Sequence, residues 1–296
     1  MSASLASLAH SPLAERRPRF VGARRFARRP PAVVGGALAV IVILMAVLAP
    51  PLAPWAPEAN DFSAILAPPM APGHLFGTDE LGRDVLSRII WGARASMEAG
   101  VLATLLAMLV AVPIGLTCGY YRGLLDAVVM RPVDTLLAFP FLILAVGFAA
   151  IFGPSLQIAT LAIGLVQIPK QVRIARGEVL SLREETFVQS AVADGASDGF
   201  ILFRHILPNI ANTLLVQATV LIPYAILGES TLSFLGLGVQ PPTPSWGVML
   251  TAAQPFLRQA PWLALIPGIT ILVTTMSFNL LGDGLRDTLD PRDAGR

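Results

Sequence analysis

Glu229 is the side chain best placed for chemistry. It sits in Ile226-Leu227-Gly228-Glu229-Ser230-Thr231-Leu232-Ser233, deep in an apolar run, where an ionised carboxylate set against hydrocarbon would be costly. It must therefore face protein or water. It is either a carboxylate hydrogen-bonded by Ser230, Ser233 or a neighbouring helix, or a group lining a polar path between helices. Gln217 and Asn279 also lie in apolar runs, where amides commonly join helices, and Gln217 is carried with Glu229 as a candidate path residue. Asp79, Glu80 and Asp84 form a second acidic group. Their spacing lacks the alternation and the glycine of a calcium loop, so capping and pairing with Arg83 fit them better.

Other chemistries are excluded by what is missing. His10, His74 and His205 are far apart and have no Cys or His at metal-ligand spacing, so no metal site is expected. Lys170 is the only lysine, and Gly164 to Pro169 before it do not supply the glycine that a phosphate-cradling loop places next to its lysine. ATP hydrolysis by that route is excluded. With no G-x-S-x-G elbow and no paired catalytic carboxylates, no enzyme activity and no cofactor are expected. Cys118 is the single cysteine, so no internal disulfide is possible.

A polar island, Ser181 to Asn209, separates strongly apolar segments. Ser181 with Glu184 fits a capping box that starts a helix running to about Asp194. Gly195 stops it, because a left-handed cap costs glycine nothing. Ser197 or Asp198 then caps a second short helix carrying Phe200, Ile201, Phe203, Ile206 and Leu207, which ends at Pro208. Two amphipathic helices at a fixed angle suit a membrane surface and can offer apolar knobs to a groove in another protein.

The elements around these residues belong in a bilayer. Apolar residues are 54% and charged residues 14%, too few polar groups to cover a soluble globule of this size. The reading is all-α and polytopic, with six spans at about 32–53, 96–118, 132–152, 155–168, 210–235 and 262–281. Pro169 is expected to cut the fourth short. The first run is too long for a cleaved leader and is read as a retained anchor. Seventeen of the 21 basic residues fall on one side of this arrangement, which puts both termini in the cytoplasm. The chain then divides into a basic cytoplasmic tail at 1–31, an anchor helix at 32–53, and a proline-marked outside loop with an amphipathic helix at 54–93. A five-helix core follows at 94–283, with a cytoplasmic loop at about 170–208, and a cytoplasmic tail at 284–296.

Gln189-Ser190-Ala191, three residues, Gly195, nine residues and His205-Ile206-Leu207-Pro208 resemble the cytoplasmic coupling loop of bacterial ABC-transporter permeases, usually E-A-A, three residues, G, nine residues, I-x-L-P. Gln189, Ser190 and His205 depart from that pattern. Gly77-Thr78-Asp79-Glu80-Leu81-Gly82-Arg83-Asp84, the run Leu232 to Gly238 with Pro241-Pro242, and Leu281 to Arg292 narrow the resemblance to the second permease subunit of the dipeptide, oligopeptide and nickel importers. The resemblance implies a type I importer permease fold in the inner (plasma) membrane. It also implies a heterodimer with a homologous permease, two ATP-binding subunits and an extracytoplasmic substrate-binding protein, with bilayer lipid as solvent and no nucleic acid as partner. Coupling to the ATPases would fall to Gln189, Ser190, Ala191, Gly195, Phe200, Leu207 and Pro208, and path lining to Glu229 and Gln217. The rival is a secondary transporter driven by an ion gradient, which should show a duplicated half and ionisable residues in both halves.

Overall fold

A computed structural model describes residues 26–289, which among themselves form helices and loops and no strand ladder. Besides the short turns Ala49–Leu52 and Gln254–Phe256, the helices are α1 (Pro30–Val47), α2 (Val85–Tyr121), α3 (Gly123–Leu137), α4 (Phe141–Phe152), α5 (Leu156–Arg183), α6 (Thr186–Ala193), α7 (Asp198–Phe234), α8 (Trp246–Ala253) and α9 (Trp262–Leu289). The all-α expectation is met.

Four helices, α1, α2, α7 and α9, are long and apolar enough to cross a membrane, and α3 with α4 makes a fifth if that pair is one span. The expected third span is therefore broken: α3 and α4 meet at 89°, where Pro140 removes a backbone donor and starts the second helix. The expected fourth span does not end at Pro169. That proline is buried inside α5, which runs on to Arg183, because neighbouring helices tolerate one missing hydrogen bond better than an exposed helix end. The second half of α5 carries Lys170, Arg173, Arg176, Glu178 and Arg183, so the helix as a whole is less apolar than those four. Nor is there a separate amphipathic helix before the second span. Val85 opens α2 itself, and of the acidic group the cap is Asp84, accepting from the Ser87 N–H at 2.7 Å. The expected C-terminal tail is helical as far as Leu289.

α2 and α5 share the most extensive contact in the bundle. Along α2 a small residue recurs every fourth position, at Ala95, Ala99, Ala103, Ala107, Ala111, Gly115 and Gly119, all of them buried. A Cβ on Gly115 would lie 2.6 Å from Ala175 Cβ, and one on Gly119 would lie 2.7 Å from Val179 Cβ. The stripe lets two backbones approach, which is the main source of helix association where lipid removes the hydrophobic drive. Similarly Gly35 seats α1 on α9 at Leu280.

The loop before α2 is held by polar groups in its own sequence. Arg83 Nε donates to Asp79 Oδ2 at 2.7 Å, and Asp79 Oδ1 accepts from the Leu81 and Arg83 N–H groups. His74 Nδ1 lies 3.0 Å from Asp84 Oδ1, and the Trp55 ring is tilted against the imidazole with the centroids 5.7 Å apart. The Ser63 hydroxyl and backbone N–H bond Asp61 and hold its carboxyl below the usual range. These bonds fix an extended loop that has few core side chains of its own.

Candidate functional site

The polar island is built differently at both ends from what its residues suggest. Ser181 lies in the last turns of α5 and caps nothing; α5 ends at Arg183, and Glu184 and Glu185 turn the chain into α6. The capping-box expectation fails because α5 has no reason to stop earlier. The α6 terminus is as read. Gly195 has φ +77°, its N–H donates to Val192 O and the Ala196 N–H donates to Ala191 O, both at 3.0 Å, closing a Schellman cap. Ser197 Oγ then accepts from the Phe200 N–H and starts α7.

Pro208 does not end that helix. Ile201 to Ile206 are wound as a π-turn, the Leu207 N–H reaches back to Leu202 O, and the chain continues to Phe234. The wider turn shifts the ladder by one residue just before the position that has no N–H to give, so the helix passes the proline. The unit is therefore a short helix joined by a glycine turn to the end of a long span.

Its inner face is fastened to two other helices. Val188, Ile201, Leu202, Ile206 and Ile210 pack with Leu116 and Tyr120 of α2 and Val179 of α5. The Tyr120 hydroxyl donates to Asp198 at 2.9 Å, Arg183 donates to the Tyr120 carbonyl and lies over its ring, and Arg122 pairs with Glu184 at 2.6 Å. Other apolar side chains of the unit are open: Phe187 is 41%, Val192 54%, Phe200 52% and Phe203 68% exposed. His205 lies between the Phe187 and Phe200 rings. Gln189, Ser190 and Gly195 are exposed, Ala191 and Leu207 are half-buried, and Pro208 is exposed at the start of the span. Gln189 donates to Glu184 O in the turn before α6 and Ser190 to Thr186 O within it, so both lean on neighbouring backbone. Phe187, Val192 and the Tyr120–Asp198 pin were not singled out from the sequence; the 3.6-residue spacing of Phe187 and Ser190–Ala191 on α6 was the available signal.

The two candidate path residues part company. Glu229 is 0% exposed; its carboxylate accepts from Ser96 Oγ of α2 at 2.9 Å and from Ser233 Oγ at 2.7 Å, with Ser230 Oγ at 3.5 Å. Ser233 Oγ in turn accepts from the Val239 N–H at 3.0 Å, which ties the following loop to the same group. Gln217, about 18 Å away along α7 at 1.5 Å per residue, lines a cavity of about 190 Å³ between α5, α7 and α9. Glu229 is not among the residues that line it. Asn279, taken as a helix-to-helix amide, borders that cavity and makes no such bond. No group of three or more His, Cys, Asp or Glu able to hold a metal occurs among the described residues.

Residues 111–293 match the family described as "Binding-protein-dependent transport system inner membrane component", and residues 21–69 match "N-terminal TM domain of oligopeptide transport permease C". The chain is 44% identical over 262 residues to the dipeptide transport system permease protein DppC of Alkalihalophilus pseudofirmus, covering 88% of this chain and 86% of that one. It is 41% identical to the glutathione transport system permease protein GsiD of Pectobacterium atrosepticum, covering 91% and 89%. A solved inward-facing MetNI methionine ABC transporter chain superposes with a TM-score of 0.58 at 16% identity, over 69% of this chain and 98% of that one. That likeness gives the fold of a type I importer permease. The chain therefore belongs to the inner-membrane components of binding-protein-dependent transport systems, as a transport subunit and not an ATPase.

Proposed function

We propose that this chain forms half of the translocation path of an ATP-driven importer of short peptides and is moved by separate ATPases that grip α6 and the start of α7. The observation that carries the coupling is the geometry of that unit. Four exposed apolar side chains, Phe187, Val192, Phe200 and Phe203, stand on a unit whose buried side chains are locked to α2 and α5. A push on those knobs is transmitted to three long helices at once, because packed elements shift as bodies.

The peptide assignment rests on relatives named for dipeptide and glutathione transport. The rest of the reading is a homologous second permease, two ATP-binding subunits and an extracytoplasmic binding protein, with 170–208 and both termini cytoplasmic and 54–93 and 236–260 outside. The basic-residue asymmetry supports that orientation. Phe200→Asp with Phe203→Asp should abolish co-purification of the ATPase subunits while this chain stays in the membrane; undiminished ATPase binding would sink the coupling proposal. A single cysteine at Ser197 in a Cys118→Ala background should resist an impermeant thiol reagent in intact cells, and labelling there would reverse the orientation. Uptake that persists in ATP-depleted vesicles under an ion gradient would replace the importer by a secondary transporter.

A further inference from the structure

The cavity beside Gln217 is bordered by polar groups that bond to nothing among the described residues, three of them buried or half-buried (Gln167, Gln171, Gln217) and three exposed (Lys170, Tyr224, Asn279). Gln167, Lys170 and Gln171 reach it from α5, Gln217 and Tyr224 from α7, and Asn279 from α9. None of the six makes a side-chain hydrogen bond or ion pair with another described residue. Gln171 is 2% exposed and its Oε1 is buried without a partner. A buried acceptor in that state is rare, since the bond it lost to water has not been replaced.

Lys170 sharpens the point. On the same helix Arg173 is bonded to Asp134 and Arg176 to Asp126, so each basic neighbour has its carboxylate. Lys170 has none. It is exposed and stands about 21 Å along α5 from Leu156 at 1.5 Å per residue, at the end of that helix's apolar stretch that is cytoplasmic in the proposed orientation, where an ammonium stays hydrated and is free to meet an anion. The cavity's 190 Å³ is room for about six waters at ~30 Å³ each, enough for one end of a small solute but not for a folded chain.

We propose that this cavity is a station on the path that receives the carboxylate end of a short peptide. The Lys170 ammonium pairs with the carboxylate. Gln171 Oε1 accepts from the last peptide N–H, and the amides of Gln167, Gln217 and Asn279 exchange hydrogen bonds with the extended backbone. Each of these groups recognises features common to every peptide, so the station is indifferent to side chains. The proposal rests on the importer reading above.

The test uses the complete transporter in sealed vesicles with Ala-Ala as the probe. Lys170→Met should raise KM for Ala-Ala uptake by about tenfold or more, and Lys170→Arg should stay within about threefold of wild type, as expected for loss and retention of one charge-assisted contact. Unchanged KM in Lys170→Met overturns the station and leaves the importer reading standing; wild-type vesicles that carry no Ala-Ala under ATP remove both. If Lys170→Met does not assemble, the wild-type complex decides. Lys170 is the chain's only lysine, so acetylation of side-chain amines on this subunit reports on it alone. Saturating Ala-Ala with the binding protein should slow that acetylation severalfold. Equal rates with and without peptide, or protection that follows anionic lipid content instead, overturn the station.

Discussion

Toward α2, the α5 side chains Val172, Ala175 and Val179 are 0% exposed and meet a stripe of alanine and glycine with no gap between them. Toward α7 and α9, Gln167, Lys170 and Gln171 of the same helix border a cavity and have no bonding partner among the described residues. Glu229 stands between these extremes, polar yet fully used, with Ser96 and Ser233 filling its oxygens. Polarity at membrane depth therefore does not by itself mark a site. What separates the two polar regions is whether the protein has already satisfied the group, because a satisfied carboxylate has nothing left for a solute and an orphaned amide has.

The comparison is broken most severely at the closed face. Gly115→Leu places a side chain where Ala175 Cβ is 2.6 Å from the would-be Cβ and the Val172 and Arg176 backbones are 3.0 Å away. Backbone cannot yield as a side-chain tip can, so the seam should open at a cost of about 3 kcal/mol or more, at the upper end for overpacking. Yield of folded subunit in detergent and its melting temperature check this; wild-type values would show that α2 and α5 are not tightly joined.

Glu229 comes next. Glu229→Ala should cost about 3 kcal/mol, from two hydroxyls left unpaired and a void. Glu229→Gln should cost under about 1 kcal/mol, because the amide still accepts from one serine and donates to the other after its hydroxyl turns. Uptake and assembly should both survive the amide. Loss of uptake with normal assembly would move Glu229 from the satisfied group to the transport residues.

Gly195→Val tests strain without crowding. Nothing lies within 4 Å of the added Cβ, yet φ is +77°, so the β-branched side chain should cost about 1–2 kcal/mol through the backbone alone. The expected result is a changed angle between α6 and α7, weakened ATPase docking and a subunit that still inserts. Docking at wild-type strength would show that the angle does not matter.

The smallest effect has the opposite sign. Gln171→Leu removes a buried acceptor that has no donor, so the subunit should become more stable by about 1 kcal/mol while peptide uptake falls. A variant less stable than wild type would mean that Gln171 is structurally bonded after all, and the contrast between the two faces of α5 would fail.

The sequence by itself determined the all-α architecture, the apolar segments, the glycine stop at Gly195 and the Ser197 start. These follow from composition and from local rules in which one residue governs one turn. The small-residue stripe from Ala95 to Gly119 was also there to be read at a spacing of four, but its partner on α5 was not. Helix boundaries were not legible: α5 runs through Pro169 and on past Ser181, where a new start was expected, and α7 runs through Pro208. A proline costs one bond, and in a packed bundle the neighbours and a π-turn absorb it. Only the tertiary structure decided which polar groups are spent. Ser96 and Glu229 are 133 positions apart, and Lys170, Gln217 and Asn279 lie on three separate helices. Satisfaction of a hydrogen bond is a fact about pairs, and the chain does not state its pairs until its helices have packed.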